Sequence, residues 1–143
     1  MLDKINGYLL AMEQVNHMTN HGYTFQFHEI VKQDTILATI QTYFEREYHS
    51  HEICNNYEER LQEVLDRWFF EREFYLKYDN QMLHEVEKDN RVQTFLELLV
   101  SFFDGRHVIT YEVQSDYDWY VSAEHFVFEL EDKVYVLEFG VND

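Results

Sequence analysis

The chain has 143 residues and a mass of 17.6 kDa, which suits one domain whose core hides about two thirds of the unfolded surface. Hydrophobic residues at 45% and aromatic residues at 17% exclude a disordered polyelectrolyte, in spite of a net charge of -17. That charge disfavours direct contact with nucleic acid or an anionic membrane and favours a basic protein surface as partner, while the single Cys54 excludes an internal disulfide.

Leu2, Ile5, Leu9, Met12 and Val15 recur at helical spacing and predict an opening helix that ends near Asn20 to Gly22. Tyr23, Phe25 and Phe27 then alternate with polar residues, the pattern of a short strand or an extended link. From Asp34, a candidate N-cap, the stripe Ile36, Leu37, Ile40, Phe44 and Tyr48 predicts a second helix, with a break near His49 and Ser50. Ile53, Tyr57, Leu61, Val64, Leu65, Trp68 and Phe69 predict a long helix running to about Tyr78. Asp79 and Asn80 interrupt it, and Met82, Leu83 and Val86 mark a shorter helix. The widest apolar stripe is Val92, Phe95, Leu96, Leu99, Val100 and Phe103, a helix over Arg91 to Asp104 with Gly105 placed for a left-handed C-terminal cap.

After Gly105 the period changes to two in "HVITYEVQ", "YVSAEHFVFEL" and "KVYVLEF", rich in β-branched and aromatic residues. The expectation is therefore an α+β fold, with N-terminal helices packed on a C-terminal antiparallel three-stranded β-meander. It forms a single domain over 1–143, mainly helical over 1–105 and a meander over 106–143. The near-repeat "YFEREY" and "FFEREF" reads as two amphipathic helices that share one solution for a solvated face. No basic stretch followed by an apolar core marks a secretion signal, and runs such as "LLAM" and "WFF" fall far short of the roughly 20 residues that cross a bilayer, so a cytoplasmic protein is expected.

The usual catalytic hardware is missing. Four isolated glycines cannot build a phosphate-cradling loop, and no serine sits in a nucleophile elbow. The dipeptides His28-Glu29, His51-Glu52 and His84-Glu85 lack the second histidine that a zinc protease needs, since Lys32, Asn55 and Lys88 stand four residues on. His17, His21, His49, His51 and Cys54 are the residues that a structural zinc site would use. Surface histidines and a small apolar cysteine explain them more simply, so the sequence points to no cofactor and to no enzyme.

What is unusual is the placement of charge. From Arg106 onward the acids are Glu112, Asp116, Asp118, Glu124, Glu129, Glu131, Asp132, Glu138 and Asp143, against only Arg106 and Lys133. They share the segment with Tyr117, Trp119 and Tyr120, side chains of the kind that anchor interfaces. Carboxylates at strand spacing would present an anionic array to a groove built for phosphates. The sequence thus predicts a small acidic, non-enzymatic inhibitor that occupies the nucleic-acid site of a basic protein such as a nuclease or CRISPR effector. Such a protein is a DNA mimic of the phage anti-CRISPR or anti-restriction kind. Its expected contacts are Asp116, Asp118, Trp119, Tyr120, Glu124, Glu129, Glu131 and Asp132. An immunity protein that neutralises a nuclease toxin shares this chemistry, and a metal-binding or homodimeric structural protein is the alternative from another class.

Overall fold

A computed structural model describes residues 1–16, 22–70, 81–116 and 122–142. The predicted segment 117–121, which holds Asp118, Trp119 and Tyr120, lies outside them, as do His17, His21 and the expected helix end and break at 71–80. Among the described residues the elements run α1 (Leu2–Asn16), β1 (Gly22–Ile30), α2 (Ile36–Phe44), a 3-10 turn (Glu45–Glu47), β2 (Tyr48–Cys54), α3 (Tyr57–Phe70), α4 (Gln81–Phe103), β3 (Ile109–Ser115), β4 (Ser122–Glu129) and β5 (Val134–Asn142).

The three-stranded meander is corrected to a five-stranded antiparallel sheet of order β1-β5-β4-β3-β2. Two of its strands come from the first 105 residues, the part expected to be mainly helical: β1, where a short strand or an extended link was expected at Tyr23 to Phe27, and β2, where no strand was expected. β1 pairs with β5 over its whole length, from Gly22 opposite Asn142 to Ile30 opposite Val134. β2 takes residues assigned to a break and to the start of a helix. Its burial follows no alternation, because it forms an edge with solvent near both sides, so its sequence "YHSHEIC" carries no period of two.

The sheet is covered on both faces, which is why β5 reads as an almost unbroken apolar run, Val134 to Val141. One face receives α1, α3 and α4. There Phe25 and Phe27 of β1, Phe126 and Phe128 of β4, and Leu137 and Phe139 of β5 meet Ile5, Leu9, Leu65, Phe69, Phe95 and Leu99 in one core. Its rings pack mostly edge to face, as at Phe25 against Phe139 (5.4 Å) and Phe69 against Phe95 (5.6 Å). The opposite face receives α2, whose Ile40 and Phe44 close over Ile30, Val113, Val127, Val134 and Val136.

Helix ends follow local chemistry. The N-cap of α2 is Thr35 rather than Asp34: the Thr35 hydroxyl accepts the Ala38 N–H at 3.0 Å. The expected short helix at Met82 and the helix from Arg91 are one continuous element, α4. It ends where Gly105 adopts φ 71° and the Arg106 N–H returns to the Phe103 carbonyl at 3.0 Å. No helix among the described residues is long and apolar enough to cross a membrane.

Candidate functional site

Strand alternation decides where each acid points, and it separates the predicted array. Positions 124 and 129 on β4 differ by an odd number, so their side chains leave opposite faces of the sheet. Glu124 turns toward the helices, where the Arg67 guanidinium of α3 donates to its Oε1 and its side chain is only 27% exposed. Glu112 of β3 faces the same way and is clamped by Arg60 Nε, 3.1 Å from each carboxylate oxygen. Glu138 lies inside the other face: its Oε2 accepts from Gln26 Nε2 at 2.8 Å and its Oε1 sits 3.3 Å from His125 Nε2. Three acids counted toward an anionic surface are therefore internal partners.

Gln26, Glu138 and His125 are register neighbours across β1, β5 and β4, and α2 roofs them, with Phe44 edge-on to the His125 ring at 5.0 Å. His28 lies one pleat along, and its Nε2 is 2.9 Å from the Tyr43 hydroxyl. Burial pulls the His28 pKa down; Glu138 opposes the fall and His125 adds to it. Nothing in the sequence marks this buried polar row, because Glu138 sits in the run "KVYVLEF" like any outward residue of an alternating strand.

Glu129, Glu131 and Asp132 are brought together. They line a cleft of about 840 Å³ at the β4–β5 turn, shared with Lys32, Arg106 and His107. Its two long cations are tied to main-chain oxygens: Lys32 Nζ donates to the Leu130 (3.4 Å) and Glu131 carbonyls, and Arg106 donates to those of Phe102 (2.7 Å) and Phe103 (2.9 Å). The Glu131 and Asp132 residues stay exposed. Glu129 accepts the Tyr111 hydroxyl at 3.0 Å, and burial, followed by this hydrogen bond and the Glu129 charge, pushes Tyr111 up to about 12. Tyr111 is thus a fixed donor at neutral pH and not an acid-base group.

Asp116 lies at the other end of β3, beside β2, where its Oδ1 is 2.5 Å from His49 Nε2 on the surface. His51 is spent on the Tyr48 hydroxyl at 2.8 Å, and the Cys54 thiol is pushed up by burial and by Glu112. The cluster "HSHEIC" does not converge, and among the described residues no three His, Cys, Asp or Glu side chains are placed to hold a metal.

A second acidic region went unrecognised in the sequence. Between residues 45 and 63 stand Glu45, Glu47, Glu52, Glu58, Glu59 and Glu63, with Arg46 and Arg60 as the cations. Arginines interleave with these acids in "ERE" and "EER", yet the stretch is net negative and Arg60 is drawn onto Glu112 and Glu63. The signal available was the absence of any lysine between Lys32 and Lys77.

No family model matches the chain, and no curated protein matches it in sequence. Among solved structures, the crystal structure of citrus MAF1 superposes on 100% of this chain and 99% of that chain, with a TM-score of 0.54 and 12% sequence identity. The likeness at that identity is one of fold.

Proposed function

We propose that this chain is a non-enzymatic inhibitor that binds the basic surface of a nucleic-acid-processing protein and keeps nucleic acid from it. The observation that supports it best is the balance left after folding. Arg60, Arg67, Lys32 and Arg106 are engaged within the chain, whereas Glu131, Asp132, Asp116 and the acids beside β2 stand at the surface. Exposed Lys4, Arg46 and Lys133 leave that surface predominantly negative, and such a field speeds the approach of a basic partner and weakens as salt screens it. Among the described residues the partner contacts are Asp116, Glu131 and Asp132, with Glu129 in the cleft wall, and Asp118, Trp119 and Tyr120 outside them remain part of the proposal. Glu124 acts through Arg67 to hold α3 on the sheet. A phage anti-CRISPR or anti-restriction protein and an immunity protein against a nuclease toxin both fit this chemistry, and a toxin gene directly upstream would distinguish the second.

The test is capture from bacterial lysate at low and moderate salt, followed by competition with duplex DNA and with RNA. A basic nucleic-acid-binding protein that is retained at low salt, released by nucleic acid and lost by the double variant Glu131→Lys/Asp132→Lys is the expected result. Retention that nucleic acid leaves unchanged would overturn the mimic reading.

A further inference from the structure

The two outer edges of the sheet are finished differently. At β1, the side-chain amide of Asn6 does what a neighbouring strand would do: Nδ2 donates to the Phe27 carbonyl at 2.7 Å and Oδ1 accepts the Phe27 N–H at 2.8 Å. One helical turn pair further along α1, Glu13 Oε1 accepts the Phe25 N–H at 2.6 Å. At β2, among the described residues, no strand pairs with the outer side and no side chain bonds to its backbone. Free N–H and C=O groups in a row are a template for another strand.

Such edges are guarded by charged side chains, above all lysine, by proline and by bulges, and of these β2 carries the charge of Glu52 and one irregularity at its first rung. It has no lysine, and the chain contains no proline at all. A register shift between Tyr48 and Ser50 leaves Ser50 to Cys54 in regular pairing with β3. Ile53 in this stretch is 60% exposed, an apolar contact beside the open backbone.

We infer that β2 is a docking edge for an extended, lysine- or arginine-bearing segment of the partner, which adds to the sheet as a sixth strand. Charge selects this occupant. Glu52 lies in the strand, Glu47 directly precedes it, Asp116 reaches its His49, and Glu58 and Glu59 open α3 just after it, so a second copy of the chain would bring like charges together, whereas alternating cations would meet carboxylates. The inference rests on the reading of a basic partner and adds to it a backbone-directed mode of recognition.

The probe is a synthetic peptide of about ten residues alternating lysine and valine, compared with the same peptide N-methylated at alternate amides, which keeps the charge and loses the strand edge. Binding to the intact protein is measured at about 50 and 150 mM salt, with hydrogen exchange read along the chain. In the free protein, alternate amides of Tyr48–Cys54 exchange fast while those of Phe25 and Phe27 are slow. The unmodified peptide slows the β2 amides, the N-methylated peptide binds at least about tenfold more weakly, and Glu52→Lys, at an exposed position, lowers affinity by a similar factor without lowering the melting temperature. Equal binding of the two peptides would overturn strand addition and leave the basic-partner reading standing. Strand-like protection with an affinity flat in salt would overturn the choice of a basic occupant and the electrostatic reading with it. Slow β2 amides in the free chain would show that its own residues cover the edge, and a doubled mass lost by Glu52→Lys would assign the edge to a second copy; either result overturns the inference.

Discussion

The β1 and β2 edges belong to one sheet but are built for opposite purposes. At β1 the backbone is satisfied from outside by two side chains of α1, and the strand's aromatics enter the large core beneath. At β2 the backbone has no outside partner among the described residues, no side chain is buried, and Glu47 and Glu52 stand before and within the strand. Polar groups in a dry setting must be paired, so an edge sealed by a helix becomes part of the interior. An edge left to water costs nothing while water serves it, and it stays available for exchange.

Mutations can be graded along this contrast. Phe27 is fully buried among Phe102, Phe103, Phe128 and Tyr135, and Phe27→Ala should cost about 3–5 kcal/mol in urea unfolding. A loss under about 1 kcal/mol would mean that the sealed edge is not part of the core. Asn6→Ala removes both bonds to the Phe27 backbone, and a cost of about 1–3 kcal/mol is expected.

Glu13 tests the sign of charge at the same edge. Burial raises its pKa and the Phe25 N–H only partly offsets this, so the folded state binds its proton more tightly than the unfolded chain. Stability from this group is present below the ordinary glutamate pKa and is lost as pH rises through the raised one. Glu13→Gln keeps a carbonyl acceptor and removes the charge. It should raise the urea midpoint at pH 7 and leave it unchanged near pH 4; a lower midpoint at pH 7 would show that the carboxylate is needed as an anion. The smallest effect belongs to the open edge: Ile53→Ser should shift stability by no more than about 0.5 kcal/mol, since the side chain has little burial to lose.

How much could be read in advance follows the same division. The stripe Leu61, Val64, Leu65, Trp68 and Phe69 predicted α3 because those residues are buried on one side, and β5 was visible as a strand because its apolar run needs cover on both faces. β2 was invisible because an edge imposes no burial pattern on its residues, and Ile53 looked like the first rung of a helical stripe. For the site, the total charge was legible and its direction was not. Whether Glu112, Glu124 and Glu138 serve the surface or the interior depends on Arg60, Arg67, Gln26 and His125, which arrive from distant parts of the chain. Sequence spacing along one strand holds no record of those partners.

The pairing of β1 with β5 also sets a timetable for biosynthesis. Gln26 finds Glu138 112 positions later, and every rung between Gly22 and Ile30 waits for the same final strand. While the ribosome is still adding α4 and β3, Phe25 and Phe27 have α1 beside them and no strand on their inner side. A chaperone that recognises short aromatic extended segments would find β1 as a client until β5 emerges and lose it once the two strands pair.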